Sequence, residues 1–130
     1  MDIIDIYEAI MLELGNFYFK RTSLSYRYLI DAIYIVVIND KKVIKDFNDN
    51  VYPQIAERYN TKPQNVMWNI TKLLKVMYLN TDMEIIQDYF GISYEGNPSP
   101  KAFIILVSYK VQIKIDTENV NAGKDLQYFL

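Results

Sequence analysis

The side chains best suited to chemistry lie on residues 51–78, which read VYPQIAERYNTKPQNVMWNITKLLKVMY. Amide side chains can pair with adenine edges, a lysine can meet guanine or a phosphate, and an apolar ring can pack on the methyl group of thymine. The second half of this stretch therefore predicts contacts with DNA bases along one helix. The predicted base-reading residues are Gln64, Asn65, Trp68, Asn69, Thr71 and Lys72.

Basic side chains accompany these residues and are suited to hold phosphates. Residues 51–80 contain four basic residues and a single acidic one, Glu57, whereas the first fifteen residues contain four acids and no base. The net charge of −2 argues against a dedicated nucleic-acid binder, which usually has a basic excess, so the positive patch is local. The predicted phosphate contacts are Arg58, Thr61, Lys62 and Lys75.

Other kinds of chemistry find little support in the sequence. The chain has no cysteine and no histidine, which excludes thiolate chemistry and removes the usual general base and the commonest metal ligand. Asp2, Asp5 and Glu8 fit the solvated first turn of a helix better than a metal site. There is no phosphate-binding glycine loop and no nucleophile paired with a base. We therefore expect no enzyme activity, no metal and no cofactor.

The length and composition predict one globular domain. The 130 residues are 51% hydrophobic, which is enough to bury a core without disulfides. No apolar run approaches the ~20 residues of a membrane span, and the N-terminus is acidic, unlike a signal peptide. We expect a cytoplasmic protein with no membrane partner, in which residues 1–114 form the domain and residues 115–130 form a flexible C-terminal tail.

Hydrophobic periodicity predicts an all-α chain with about six helices. Gly15 stops the first helix, and Ser23 and Ser99 cap the second and the last. Thr61 and Gln64 form a capping box at the start of the fourth helix. The predicted helices cover residues 3–14, about 24–38, about 45–59, about 63–79, 80–90 and 100 to about 113, with a loop over residues 93–100.

Two aromatic placements follow from the same pattern. Phe17, Tyr18 and Phe19 are expected to fill the space between the first two helices. Trp68 lies about 200° around the fourth helix from Val66, at ~100° per residue, and Val66 begins an inward apolar stripe. Trp68 is therefore predicted to face outward.

The spacing within residues 51–78 fits a helix-turn-helix. That motif needs a small residue where its helices cross, a residue that tolerates left-handed backbone in the turn, and an aliphatic residue on the buried side of the second helix. Ala56, Asn60 and Val66 meet these needs at offsets of four and ten residues. An ordinary αα-hairpin in a helical bundle fits the spacing equally well.

Several stretches, in the same order and spacing, resemble the C-terminal effector domain of the master regulator of sporulation initiation, the stage-zero sporulation protein A family. The clearest is YPQIAERYNT at residues 52–61, and the likeness extends over about residues 6–114. The other matching stretches are YRYLIDAI at 26–33, Val66 and Ile70, Phe90 with Gly91, and FIILVSYK at 103–110.

The resemblance implies a bacterial regulator with a six-helix fold whose third and fourth helices form a helix-turn-helix. It also implies binding to double-stranded DNA as tandem dimers and contact with the RNA polymerase sigma subunit, for which Asp82 and Glu84 lie in the corresponding region. In the family this domain follows a phosphoacceptor receiver domain. Since the chain starts at Met1, just before the first helix, we expect an effector without that phosphorylation switch.

The recognition helix departs from the family's pattern. The family reads bases with a glutamate-arginine pair and, one turn later, an arginine-histidine pair, whereas this chain has Met67-Trp68 and Thr71-Lys72. Only Lys72 keeps a positive donor. A bidentate arginine–guanine contact contributes about 1–3 kcal/mol of discrimination, so we expect the family's operator preference to be lost.

Three hypotheses remain open. The chain is a DNA-binding transcriptional regulator with altered base specificity, or a non-enzymatic interaction module that antagonises the related regulator or binds the transcription machinery. In the third hypothesis Trp68 is a core residue and the domain is a degenerate paralogue. Methionine and tryptophan are enriched at interface hot spots. The predicted protein interface comprises Met67, Trp68, Tyr78, Asp82 and Glu84, and a homodimer is a further candidate assembly.

Overall fold

The computed structural model describes residues 3–39, 42–91 and 96–129, and within these ranges it contains six α-helices and no strand. The prediction of an all-α chain with six helices is confirmed. Asp2 and the first part of the predicted loop at residues 93–100 lie outside the described residues. The helices are α1 (Ile3–Leu14), α2 (Leu24–Ile38), α3 (Phe47–Arg58), α4 (Pro63–Asn80), α5 (Met83–Phe90) and α6 (Pro100–Phe129).

Helix α2 lies at the centre of the fold and packs against α1, α3, α4 and α6. Leu29, Ile33 and Val37, which recur at four-residue spacing, are all buried. Such a helix must be apolar on several sides, which explains the long hydrophobic sequence LIDAIYIVVI. None of the helices in the described part of the chain is long and apolar enough to cross a membrane.

An aromatic cluster joins the connection after α1 to α5 and α6. The Phe17 ring lies 4.7 Å from Tyr89, 6.0 Å from Phe90 and 5.3 Å from Phe103, measured between ring centroids. The Phe17 ring is edge-on to Tyr89 and Phe103 and stacked with Phe90, and aromatic pairs of these kinds add about 0.5–1.5 kcal/mol beyond the area they bury. The cluster attaches the short helix α5 to the core.

The prediction that Phe17, Tyr18 and Phe19 fill the space between the first two helices was wrong for Tyr18, and the Phe17 ring contacts α5 and α6. Phe17 is buried and Phe19 is partly buried, but the side chain of Tyr18 is exposed. Residues 18–20 are irregular rather than helical, and successive side chains of an extended segment point to opposite sides. Two of the three consecutive aromatic residues therefore face the core and the middle one faces solvent.

The ends of the helices follow the predicted signals in most cases. The hydroxyl oxygen of Ser23 accepts a hydrogen bond from the Tyr26 backbone N–H at 3.2 Å, and Ser99 does the same for Ala102 at 3.2 Å. Gly91 ends α5 with a left-handed φ of 67°. These contacts satisfy backbone groups that a helix end leaves without an intrahelical partner.

The predicted capping box at α4 was wrong. Lys62 is the N-cap residue, and no side chain caps this end of the helix. Thr61 stands one residue too early, and its hydroxyl oxygen accepts a hydrogen bond from the Asn65 side-chain amide at 2.9 Å instead. The N-terminus of α4 therefore has no side chain folded over it.

Two predicted helix boundaries also moved. Asn80 belongs to α4, and α5 starts at Met83. Helix α6 continues to Phe129, well past the predicted end near residue 113. Asp116, Thr117 and Glu118 are polar and exposed, so the amphipathic periodicity fades there although the backbone stays helical. The division into a domain at 1–114 and a tail at 115–130 stays a prediction.

A buried carboxylate links the first three helices. The side chain of Asp31 on α2 is 9% exposed, and its oxygens accept hydrogen bonds from the Tyr59 hydroxyl at 2.7 Å, from Arg58 at 3.3 Å and from the Tyr7 hydroxyl at 3.4 Å. Burial raises the pKa of Tyr59 to about 12, and its hydrogen bond to Asp31 acts in the same direction. Breaking one side of such a network leaves a buried polar group unsatisfied, which is unfavourable.

The turn between α3 and α4 gives the first prediction. Asn60 has a left-handed φ of 53°, which alanine adopts poorly and glycine adopts freely. Asn60→Ala should lower the free energy of unfolding by about 1 kcal/mol, while Asn60→Gly should change it little. Urea unfolding measures both. Glu57→Ala, an exposed helical position just before the turn, is the control and should stay close to the wild type. A wild-type stability for Asn60→Ala would contradict the prediction.

The raised pKa of Tyr59 gives a prediction about pH. Because the folded state holds this proton up to about pH 12 and an unfolded tyrosine releases it near pH 10, the stabilisation is complete below pH 10 and is lost as pH rises through the folded pKa. The free energy of unfolding should therefore fall between pH 10 and 12. Tyr59→Phe should make that fall less steep while lowering stability at pH 7.

Urea unfolding at several pH values between 7 and 11 measures the effect. Burial also raises the pKa of Tyr52 to about 12, so Tyr52→Phe should reduce the alkaline slope in the same sense and serves as a matched variant. A slope for Tyr59→Phe equal to that of the wild type would show that the pKa of Tyr59 is not raised in the folded state.

Candidate nucleic-acid interface

Helices α3 and α4 pack against each other across a tight turn and form the predicted helix-turn-helix. The backbone N–H of Thr61 donates to the Ala56 carbonyl at 2.9 Å, which closes the turn. Ala56 and Val66 are 2% and 0% exposed, so the small residue and the aliphatic residue both stand where the motif requires them.

The rotation of α4 is fixed by its buried stripe. Val66, Ile70, Leu74 and Met77 are 0–2% exposed and face α2 and α3. The opposite side of the helix therefore faces solvent. Trp68 is 57% exposed, which confirms the outward placement, and the hypothesis that it belongs to the core was wrong.

Trp68 and Lys72 form a pair on this outer side. The Lys72 ammonium nitrogen lies 4.9 Å from the centroid of the Trp68 ring. Side chains on a helix lean toward its N-terminus, so a residue four positions later folds back over the earlier one. A cation–π contact at an exposed site contributes about 0.5–1 kcal/mol, which is enough to favour one arrangement of both side chains.

An amide ladder runs beside this pair along α4. The Asn69 side-chain amide donates to the Asn65 carbonyl at 2.8 Å and to the Asn65 side-chain oxygen at 3.1 Å. The Asn65 amide in turn donates to the Thr61 hydroxyl at 2.9 Å. These bonds orient both side chains before any ligand binds.

The other predicted site residues on the helix-turn-helix differ in how exposed they are to solvent. Gln64, Lys62 and Lys75 are exposed, as contacts to DNA require. Thr71 is half-buried and its hydroxyl donates to the Met67 carbonyl at 2.8 Å. Met67 is also half-buried, so it lies at the border between the core and the outer side of α4.

Arg58 lies at the end of α3, just before the turn, and its charge is paired with Asp31. Its side chain is 61% exposed, although one amino group is shared between Asp31 and the Tyr7 hydroxyl. Its hydrogen bond to Tyr7 and the nearby Asp31 charge raise its pKa. The pairing of Asp31 with Arg58 was not predicted from the sequence. The one available signal was a single acidic residue within the apolar run LIDAIYIVVI.

The second half of α4 carries an exposed apolar stripe that sequence reasoning also missed. Val76 is 51% exposed, Leu79 is 85% exposed and Met83, at the start of α5, is 69% exposed. The signal was present, because Val76 and Leu79 fall outside the buried stripe at residues 66, 70, 74 and 77. We name Val76, Leu79 and Met83 the apolar stripe.

The predicted interface residues surround this stripe. Tyr78 is half-buried, and its hydroxyl donates to the Pro98 carbonyl at 2.9 Å. Asp82 and Glu84 are exposed beside Met83. The outer side of α4 is thus polar and aromatic in its first half, and apolar with acidic neighbours at its end.

Comparison with known families agrees with this architecture. The family described as "Sporulation initiation factor Spo0A C terminal" matches residues 9–111, which is most of the 130-residue chain. The match includes α2, α3, α4 and α5 and the first part of α6. The chain therefore belongs to this family of DNA-binding, non-enzymatic effector domains of a sporulation regulator.

Proposed function

We propose that this chain is a DNA-binding transcriptional regulator that places α4 in the major groove and prefers other bases than its family does. The observation that carries the proposal is the outer side of α4. There, Asn65 and Trp68 are exposed and Asn69 is half-buried, and contacts within the helix hold all three side chains in place, while the inner side is buried. In helix-turn-helix proteins the first residues of the second helix contact base edges.

Phosphate contacts would come from residues at both ends of this surface. Lys62 stands at the N-terminus of α4, where no side chain caps the helix and the dipole favours an anion. Thr61 beside it and Lys75 further along the helix are the other proposed contacts. Arg58 could also reach a phosphate with its second amino group, but its charge is already balanced by Asp31.

The altered preference follows from what α4 presents to bases. Its outer side has no arginine, and Lys72 and Lys75 are the two cations of the helix. Guanine offers two acceptors in the major groove, which a forked arginine meets best. The amides of Gln64, Asn65 and Asn69 instead suit a partner with both a donor and an acceptor.

Salt dependence tests whether these phosphate contacts exist. Fluorescence anisotropy on labelled duplexes should give an affinity whose logarithm falls linearly with the logarithm of salt concentration, with a slope of about −0.9 per phosphate contacted. Lys62→Gln and Lys75→Gln should each make that slope less steep by about 0.9.

The control is Lys114→Gln. Lys114 lies on α6 beside Asp5, Glu8 and Glu118, on the side formed by α1 and α6, and its replacement should leave the slope as it is in the wild type. Absence of binding even at about 50 mM salt would contradict the proposed function.

The apolar stripe supports a second candidate, a protein-interaction module. Contiguous exposed apolar side chains often mark a protein interface, and Leu79 is the most exposed large apolar side chain among the described residues. Asp82 and Glu84 beside the stripe suit a partner with basic as well as apolar residues. The RNA polymerase sigma subunit, the related sporulation regulator and a second copy of this chain are the partners to test.

Paired variants separate the two functions. Trp68→Ala and Lys72→Glu should weaken DNA binding, whereas Leu79→Ser should leave it unchanged. Calorimetry with purified sigma subunit or purified regulator, and sedimentation of the chain alone, should show whether Leu79→Ser abolishes a complex. If Trp68→Ala leaves DNA binding intact but disrupts one of these complexes, the interaction module is the correct function.

A further inference from the structure

We propose that α4 reads A·T pairs, with Trp68 as the specificity-determining residue that contacts the methyl group of thymine. The inference rests on the proposed DNA-binding function and names the class of site that the protein would choose. It follows from three features of the outer side of α4, namely the free part of the Trp68 ring, the position of Lys72, and the orientation of Asn69.

The Trp68 ring is a large apolar surface in the half of the helix that enters the groove. More than half of the side chain is exposed, and Lys72 covers one face of the ring, so the other face and the edge remain available. Among the groups that base edges show in the major groove, the thymine methyl is the apolar one. A tryptophan at this place would therefore contact thymine favourably and would desolvate the polar edges of guanine and cytosine without pairing with them.

Asn69 is placed to form a hydrogen bond with an adenine near that thymine. Its amide nitrogen donates to Asn65, while its side-chain oxygen has no donor among the described residues. That oxygen can accept from the adenine amino group, while both hydrogens of the amide stay engaged with Asn65. Guanine would place its O6 acceptor against the Asn69 oxygen, which is unfavourable.

Lys72 does not reverse this preference. It is the cation nearest to the base-reading residues, and its ammonium group lies over Trp68. To donate to guanine O6 and N7 it would have to leave the ring and expose the ring face that it covers. The arrangement thus favours A·T pairs over G·C pairs.

The test uses duplexes that differ by single chemical groups. The reference probe is a 24-base-pair duplex with an alternating A·T core between G·C ends, and it is compared with a G·C-core duplex of equal length. A third probe replaces every core thymine by deoxyuridine, which removes the C5 methyl from the major groove and keeps the minor-groove groups the same.

The wild type should bind the A·T core about tenfold or more tightly than the G·C core, as expected for one well-placed base contact. Removing the methyl groups should weaken binding about fourfold, the value expected for one buried methyl-sized group. Trp68→Ala should bind the thymine and deoxyuridine probes equally. Trp68→Phe, which keeps an aromatic ring, should retain part of the difference.

Leu12→Ala is the control, since Leu12 is an exposed apolar residue on α1, outside the helix-turn-helix. It should keep the full thymine preference. Equal binding of both probes by the wild type, or an unchanged thymine preference in Trp68→Ala, would overturn the inference.

These failures are distinguishable from failure of the proposed function. Salt-dependent binding with no thymine preference would leave a DNA-binding protein whose specificity lies elsewhere. No binding to any probe at low salt would overturn both proposals together. Circular dichroism shows whether each variant is folded. The ratio of a variant's affinities for the thymine and deoxyuridine probes is unaffected by a loss of affinity that is the same for both probes.

Discussion

The packing of α4 against α2 and α3 is the constraint on which the rest of the structure depends. Four residues at helical spacing, Val66, Ile70, Leu74 and Met77, are almost completely buried and hold the helix at one rotation about its axis. A rotation by one residue, about 100°, would bring polar side chains into the core. Burying them without partners would be strongly unfavourable. The buried residues of α4 therefore determine which of its other residues face solvent.

The buried carboxylate of Asp31 adds a second constraint at the other side of the motif. It connects α2 to Tyr7 on α1 and to Arg58 and Tyr59 at the end of α3. Apolar side chains can pack in slightly different arrangements. A carboxylate that accepts three hydrogen bonds fixes both the distance and the direction of each donor side chain. The turn that precedes α4 is thus held both by Asn60 in its left-handed conformation and by this network.

Much of the fold could be predicted from residues with a local physical role. Ser23 and Ser99 cap helices, and Gly91 ends one, because each acts on backbone groups only a few positions away. The outward direction of Trp68 followed from helical geometry alone. The capping box at Thr61 failed because a shift of one residue gives its hydroxyl a different partner, Asn65, and sequence patterns locate helix ends only to within one or two residues.

Three features of the structure could not be predicted from such local patterns. Asp31 and Tyr59 are 28 positions apart, and no local pattern indicates that they meet. The pairing of Lys72 with Trp68 depends on side-chain direction, which spacing permits but does not require. The continuation of α6 past residue 113 was missed because Asp116, Thr117 and Glu118 are polar and exposed and interrupt the apolar periodicity.

The dimensions of α4 show how one helix can serve both DNA and a protein partner. Its 18 residues extend about 27 Å at 1.5 Å per residue, whereas the major groove is about 12 Å wide. Leu79 follows Trp68 by about 16 Å along the helix axis. If α4 crosses the groove at a steep angle, the apolar stripe at its end projects beyond the phosphate backbone. The two surfaces therefore need not compete, and a chain that binds A·T-rich DNA through Trp68 could still present Leu79 to a second protein.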